Sequence, residues 1–234
     1  MNPRALLTDL FPLGHEVGFE AEFFAGPART TVGTVHVMGT VNDALIGVEL
    51  AHRLAAETLA VVQAHPRRPI VLTVDTNGQR PSRRDELLGL DGYLALIAKC
   101  LHVARLRGHP IVSLVYGRAV SGGFLATNMF ADACFALPDT QIQVMNLPAM
   151  ARITKIDLDR LRSLSRTSPV FAPGAENYVR MGAIQAIWTD TIAQRLVEAL
   201  QVPAADDRRR RDGAARGGRL YADPISARVR HEGP

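Results

Sequence analysis

Short apolar segments alternate with longer helical patterns from Thr31 onward, and this alternation restricts the fold more than any other feature. The apolar segments are rich in β-branched residues and end at Gly, Pro, Asn or Asp, as strands of a wound layer structure do. The longer segments carry apolar residues at three- and four-residue steps, which is typical of amphipathic helices. The pattern therefore predicts an α/β domain, with strands over 31–40, 69–75, 110–116, 133–137 and 142–145 and helices over about 43–64 and 84–106.

Composition changes along the chain suggest three regions. Residues 1–30 are predicted to form an N-terminal extension, and residues 31–202 the main domain, which carries short helices as a C-terminal appendage after Met145. Residues 203–234 include four consecutive arginines and the loop-like segment GAARGGR, so we predict a flexible basic tail there.

The overall composition excludes several classes of protein. The 234 residues are 47% apolar, which is enough for one sizeable core. The formal net charge is only +4, and no basic patch is interleaved with aromatic residues, so nucleic acid is not an expected partner. No run of about 18 apolar residues indicates a membrane span. Cys100 and Cys134 lie in apolar segments and are predicted to be buried thiols, which together with the lack of a signal peptide favours a cytoplasmic location.

Metal and nucleotide motifs are missing from the sequence. There is no H-x-H, H-E-x-x-H or paired C-x-x-C, and no G-x-x-x-x-G-K-[ST] loop. We therefore predict no metal site, and no cofactor bound by this chain itself.

Two glycine-containing turns follow predicted strands. In LVYGRAVSGGFLATN, Gly122 and Gly123 stand where a strand turns into a helix, and backbone N–H groups at such a point have no partner within the helix. They can hold an oxyanion, as in the stabilisation of an enolate or a tetrahedral intermediate. In VDTNGQRPSRR, Gly78 occupies the equivalent place one unit earlier, so the two turns could direct two N–H groups at one oxygen. The alternative is that these glycines only permit tight packing.

Residues beside the glycines are the candidates for substrate contact. These are Ser121 in the second turn and Asn77 and Gln79 in the first. Arginines at 80, 83 and 84 could meet a phosphate or carboxylate, although a solvated charged surface is the simpler interpretation.

Ser121 is also a candidate nucleophile. AVSGG has Ala119 in place of the first glycine of a G-x-S-x-G elbow, and the only histidine downstream of Ser121 is His231, near the chain end. An upstream histidine could still pair with Ser121, because triads are recognised by geometry and not by order in the chain. A serine hydrolase or Clp-type peptidase therefore stays open at this point.

The motifs resemble a known superfamily. DTNGQ, taken with AVSGGFLATNMFADACFALPDTQIQVMNLPAMARITK, is similar to the crotonase and carboxyltransferase superfamily, and most of all to γ subunits of biotin-independent malonate decarboxylase. The similarity runs from about Gly33 to Leu200. It implies a crotonase-like (ClpP/crotonase) spiral of β-β-α units with a C-terminal helical appendage.

The resemblance also implies an activity. Gly122, beside Gly123, would be one oxyanion donor and the Gly78 turn a second. With a homologous β subunit, the chain would decarboxylate a malonyl thioester, presented on the coenzyme-A-like prosthetic group of an acyl carrier protein. Leu125 stands where a hydratase of this superfamily has a glutamate, which argues against hydration. A noncatalytic subunit that stabilises its β partner is the alternative from a different class.

Overall fold

The structure is a computed structural model that describes residues 1–166, 173–201, 209–217 and 221–231. The strands are β1 (Gly18–Glu20), β2 (Phe23–Thr30), β3 (Gly33–Thr40), β4 (Ala44–Ile46), β5 (Ile70–Gln79), β6 (Ile111–Val120), β7 (Ala133–Ala136), β8 (Gln141–Gln143) and β9 (Ala186–Ile187). The helices are α1 (Pro3–Leu10), α2 (Val48–Ala64), α3 (Arg83–Leu87), α4 (Leu90–Leu106), α5 (Ser121–Thr127, continued by a 3-10 turn at Asn128–Phe130), α6 (Leu147–Thr154), α7 (Leu158–Leu164), α8 (Ala175–Arg180), α9 (Ile192–Gln201), α10 (Arg209–Ala215) and α11 (Ala222–His231). Each predicted strand is found, within a few residues of its expected bounds.

The strands form a mixed sheet in the order β1-β2-β3-β5-β6-β7-β9. β1, β2 and β3 pair antiparallel, and the later neighbours pair parallel. Along β5 the pairing partner changes from β3 to β4, and along β6 it changes from β7 to β8. A register shift between Val74 and Thr76 accompanies this change. The end of β5 therefore lies beside the end of β6, which leads into Ser121. Asn77, Gly78 and Gln79, which the sequence placed in a turn after the strand, form the last residues of β5 instead, because β4 pairs with this end.

Both predicted long helices differ from their expected bounds at the N-terminal end. The first begins only at Val48, because 44–46 form β4. The second is broken at Gly89, whose φ of 78° ends α3 and lets the chain restart as α4. Leu90, Ile97 and Leu101 are buried in the sheet core, so the apolar stripe of α4 is core and not a partner surface, whereas Leu87 on α3 is 78% exposed.

Apolar cores cover both faces of the sheet. On one face α2, α4 and α5 contribute Leu54, Leu101 and Phe124, among others, to a cluster that includes β5 and β6 residues. On the other face α1 and α9 contribute Leu7 and Leu196. The sheet is thus a central layer between two helical layers.

The boundary predicted at residue 30 is corrected by the structure. β2 pairs with β3 along its whole length, from Phe23 opposite Thr40 to Thr30 opposite Gly33. Leu6 and Leu7 of α1 are fully buried. The N-terminal segment is therefore part of the sheet and its core. Gly26 and Pro27 conceal β2 in the sequence, since both residues weaken a strand pattern.

The appended helices after Met145 are found as α6, α7, α8 and α9. The tail expectation needs correction, because α10 and α11 are helical and α10 includes part of the loop-like GAARGGR. Arg216 follows α10 and donates hydrogen bonds to the backbone oxygens of Val179 (2.9 Å), Ile184 (3.0 Å) and Gln185 (3.1 Å). These long-range bonds are invisible to local composition. The remainder of the predicted tail, 203–208, 218–220 and 232–234, lies outside the described residues.

Both cysteines are buried free thiols, as predicted. Burial raises the pKa of the Cys100 thiol. Among the described residues, no helix is long and apolar enough to cross a bilayer. In the same part of the chain, no three His, Cys, Asp or Glu side chains come together as a metal-binding group.

Candidate active site

The two predicted glycine turns meet at the ends of β5 and β6. A Cβ placed on Gly123 would lie 3.2 Å from the α-carbon of Gly78, 3.0 Å from Ile46 Cδ1 and 3.1 Å from Thr76 Oγ1. A Cβ placed on Gly78 would lie 3.1 Å from the Val120 oxygen. Both glycines are buried, and Gly78 has a φ of 91°. Their lack of side chains is what allows the turns to touch, as the packing alternative expected.

The Gly78 N–H group is already engaged inside the chain. It donates to Thr76 Oγ1 at 3.1 Å, and the Thr76 hydroxyl in turn donates to the Ala44 oxygen at 2.7 Å. The hydroxyl of Thr76 thus joins β4 to the Gly78 turn. A donor role for Gly78 would require its bond to open, and this role stays a prediction.

The Gly122 N–H group faces a replaceable acceptor. Gly122 is half-buried, and its N–H donates to Gln79 Oε1 at 3.1 Å. Gln79 is exposed at the end of β5. A neutral side-chain carbonyl therefore occupies the place that a substrate oxygen would take. The structure brings together Gly78, Gln79, Ser121, Gly122 and Gly123, and Asn77 is exposed on the same turn.

Ser121 has a strained backbone. Its φ is 53°, which non-glycine residues rarely adopt and which costs roughly 1–2 kcal/mol. Ser121 is the first helical residue of α5, the N-cap is Val120, and no side chain caps this helix.

No catalytic histidine accompanies Ser121 in the hydrogen-bonding pattern. Buried His36 lies 2.8 Å from Glu57 Oε1, and buried His109 lies 2.9 Å from the Arg68 oxygen, so each has another partner. His231 ends α11, and its side chain is exposed. None of these three histidines forms a triad with Ser121 in the described part of the chain.

The arginines of the first turn pair with neighbouring acids. Arg80 lies 3.3 Å from Glu22, and Arg84 lies 2.6 Å from Glu49. Arg83 is exposed. This is the solvated charged surface that the simpler interpretation expected.

Buried polar side chains behind α5 were missed in the sequence. Asn128 is fully buried and donates to Ser113 Oγ at 2.5 Å, and Thr127 donates to the Gly123 oxygen at 2.8 Å. Hydrogen-bonded groups of this kind hold a helix in one position, because an unpaired buried polar atom is costly. Polar residues inside the otherwise apolar segment FLATNMF were the available signal.

A separate cleft of about 1190 Å³ opens beside α1 and the start of α9. It is lined by Asp43, Asp75, Tyr116 and Arg118, among others, and the two glycine turns are not part of its lining. The Asp75 carboxylate accepts the backbone N–H groups of Asp43 (3.1 Å) and Arg118 (2.9 Å). Partial burial, reinforced by the Asp75 charge, raises the pKa of Asp43, and burial likewise raises the pKa of Tyr116. Asp75 therefore holds these two strand ends together.

Comparison with known proteins bears directly on the expected superfamily. A family model described as MdcE, malonate decarboxylase gamma subunit, matches residues 41–233. The chain belongs to the malonate decarboxylase gamma subunit family. Leu125 is 49% exposed beside the Ser121 turn.

Relatives of this gamma subunit family agree in sequence and in fold. The malonyl-S-ACP:biotin-protein carboxyltransferase MADD of Malonomonas rubra is 32% identical over 209 residues, which cover 80% of this chain and 72% of that protein. A Pseudomonas malonate decarboxylase hetero-tetramer in complex with coenzyme A contains a chain with a TM-score of 0.82 and 26% identity, at 97% coverage of both chains. The Pseudomonas MdcD-MdcE hetero-dimer gives a TM-score of 0.74 and 26% identity, covering 94% of this chain and 98% of that chain.

The fold extends beyond the malonate decarboxylases. Transcarboxylase 12S gives a TM-score of 0.71 at 18% identity, over 85% of this chain and 40% of that chain, and this likeness shows the fold alone. The crotonase-like carboxyltransferase fold expected from the sequence is thus confirmed.

Proposed function

We propose that this chain is the γ subunit of a hetero-oligomeric malonate decarboxylase and that its Gly122 N–H group stabilises the enolate of a malonyl thioester. The observation that carries this proposal is the Gly122 N–H beside a displaceable acceptor, where the Gly78 and Gly123 backbones meet, in a chain of this family. The Malonomonas relative is named for action on malonyl-S-ACP, which supports a carrier-bound thioester as the substrate class.

The proposed reaction needs no general base at the first step. The bond between the carboxylate carbon and the α-carbon breaks, CO₂ leaves, and the electron pair passes into the thioester as an enolate. The Gly122 N–H donates to the enolate oxygen, and a proton from water then adds to the α-carbon to give the acetyl thioester. Leu125 and its apolar neighbours on α5 provide no acid at this turn, which suits decarboxylation better than hydration.

One backbone donor makes a large contribution to such a reaction. Removal of a single oxyanion-hole donor lowers kcat by about 10²–10³-fold, because the donor is fixed in place before charge develops. Asn128 serves this purpose, since it follows α5 and its hydrogen bond to Ser113 Oγ ties the helix that carries Gly122 to β6.

The acyl group is proposed to arrive on a coenzyme-A-like prosthetic group of an acyl carrier protein. A coenzyme A complex of the Pseudomonas relative supports this class of ligand. This chain itself is proposed to hold no cofactor and no metal ion, because the proposed chemistry requires only hydrogen-bond donors.

The partner is proposed to be a homologous β subunit that docks on α6. No residue of α6 is buried, although Leu147, Met150 and Ile153 form an apolar stripe at three-residue spacing, and Ile153 is 64% exposed. The helix begins four residues after Gln143, which pairs with Val120 at the Ser121 turn, so the start of α6 lies within about 14 Å of Gln143. The hetero-dimer of the Pseudomonas relative supports a partner subunit as the occupant of this surface.

Docking is tested with Ile153→Glu, and Leu106→Glu serves as the matched control. Leu106 is 73% exposed at the end of α4, which leads into the start of β6, the end of that strand opposite the Ser121 turn. Co-purification with the β subunit should fall at least tenfold for Ile153→Glu and stay unchanged for Leu106→Glu. Equal retention of both variants would contradict docking at α6.

The activity is tested by mixing the chain with its β subunit and a malonyl thioester and measuring CO₂ release. Gly122→Val should reduce turnover by about 10²–10³-fold in a folded complex, because its side chain would occupy the space 3.1 Å from Gln79 Oε1 where the substrate oxygen binds. Unchanged turnover would instead favour a noncatalytic subunit that stabilises the β partner.

A further inference from the structure

The side chain of Gln79 covers the proposed oxyanion donor from two directions. Its Oε1 atom accepts the Gly122 N–H at 3.1 Å. A Cβ placed on Gly122 would meet the same oxygen at 3.1 Å and the Gln79 Cδ at 3.6 Å. The amide group of Gln79 thus lies directly over the backbone of Gly122, where a thioester oxygen would have to bind.

Gln79 can move its side chain without moving its backbone. Its α-carbon is paired with Ile46 of β4, and the next residue, Arg80, donates its N–H to the Ile46 oxygen at 2.9 Å. The side chain itself is exposed, and its oxygen accepts the Gly122 N–H. An incoming oxygen therefore competes with a neutral hydrogen bond made by an exposed side chain.

The Gly78 N–H would have to give up an existing hydrogen bond before it could reach the enolate oxygen. The Gly78 N–H is buried and bonded to Thr76 Oγ1, whose own proton goes to the Ala44 oxygen. An oxygen that gains negative charge can accept more than one hydrogen bond, and Gly122 supplies one. A side-chain amide carries both an acceptor oxygen and two N–H donors on the same carbon, so a rotation about its terminal bond exchanges one for the other.

We propose that Gln79 is a catalytic residue that closes the site when it is empty and supplies the second donor when it is filled. The thioester oxygen displaces Oε1 from the Gly122 N–H, the amide turns, and Nε2–H donates to that same oxygen as the enolate forms. No bond of Gln79 is made or broken, and the proton stays on Nε2. This inference rests on the proposed function, because it assigns the second donor of that reaction.

Three variants of the complete β–γ complex test the inference. Gln79→Glu keeps the size of the side chain, but at neutral pH its carboxylate holds the Gly122 N–H more strongly and has no proton to donate. We expect kcat to fall by about 10²–10³-fold at neutral pH and to recover as the pH falls toward about 4.3, where the carboxyl group gains a proton that it can donate. Gln79→Ala should lower kcat by about 10²-fold with an unchanged or lower KM, since the competing acceptor is lost together with the donor.

Gln143→Glu is the matched control for added charge. Gln143 lies on β8 opposite Val120, next to the same turn. This variant should retain the wild-type kcat and the wild-type dependence of kcat on pH. Its activity at low pH also corrects for any activity lost through dissociation of the complex.

The outcomes separate this inference from the function on which it rests. Wild-type rates for both Gln79 variants, in a complex that Gly122→Val inactivates, would overturn the role of Gln79 and leave the proposed function standing. Loss of kcat in Gln79→Glu with no recovery at low pH would overturn the donor role as well. A wild-type complex that releases no CO₂ would overturn the proposed function and this inference together.

Discussion

The α-carbon of Gly78 lies 3.2 Å from the position that a Cβ of Gly123 would occupy. The two turns of the site are therefore in contact through backbone atoms, with no space for a side chain between them. Each turn fixes the position of the other, and the geometry of the Gly122 donor depends on both.

A methyl group at Gly123 should separate these turns. In Gly123→Ala the new Cβ meets Thr76 Oγ1 at 3.1 Å and Gly78, and the hydrogen bonds of Thr76 to two elements prevent an easy shift. We expect a loss of about 1–3 kcal/mol in the free energy of unfolding, measured by urea denaturation. Gly92→Ala is the control, because nothing lies within 4 Å of its new Cβ on α4 and alanine should stabilise that helix by up to about 1 kcal/mol. Equal effects of the two changes would contradict the contact.

Relief of the strain at Ser121 should stabilise the chain. Because Ser121 has a φ of 53°, Ser121→Gly is expected to raise the free energy of unfolding by about 1 kcal/mol. Ser121→Ala keeps the strain and should change both stability and turnover of the complex little. Ser82→Ala is a useful comparison, since Ser82 does cap a helix by accepting the Asp85 N–H at 3.3 Å, and its loss should cost about 1 kcal/mol. Complete loss of activity in folded Ser121→Ala would point to a serine nucleophile.

Stability should decrease as the pH falls below about 6.5, through His36. Burial lowers the pKa of His36 in the folded chain, although the nearby Glu57 partly opposes the shift. Below the unfolded-state pKa the unfolded chain binds more protons than the folded chain, so the free energy of unfolding falls with pH until the folded pKa is reached. Above pH 7 this contribution is complete and constant. Urea denaturation between pH 5 and 8 should show a shallower slope for His36→Gln than for His102→Gln, a change at an exposed position of α4. Identical slopes would exclude His36 as the source.

Helix α10 should separate more readily from the rest of the domain when Arg216, the residue that follows it, is replaced. Arg216→Lys loses the planar group that reaches three backbone oxygens at 2.9–3.1 Å. Hydrogen exchange of the α10 amides should accelerate by about tenfold, in line with the loss of one charged hydrogen bond. Arg230→Lys is the control, because Arg230 bonds the Ser226 oxygen within its own helix. Slow exchange in Arg216→Lys would show that other contacts hold this segment.

The sequence was most informative where local chemistry decides the structure. Periodicity predicted the strands over 69–75 and 110–116, which the structure extends to Gln79 and Val120, and most of α2 and α4, since apolar residues must face the sheet in both cases. It missed β4 and β2, because a three-residue strand and a strand containing Gly26 and Pro27 acquire their pairing from neighbours and not from propensity.

The candidate site also has some features that follow from the sequence and others that depend on the tertiary structure. The sequence by itself determined that glycines stand at the ends of two successive strands and that no acid stands near Gly122, because these features depend on a few adjacent residues. Only the tertiary structure decided which atoms accept the backbone N–H groups of Gly78 and Gly122. Thr76 takes the Gly78 N–H and Gln79 covers that of Gly122, and these hydrogen bonds depend on how β4, β5 and α5 pack together.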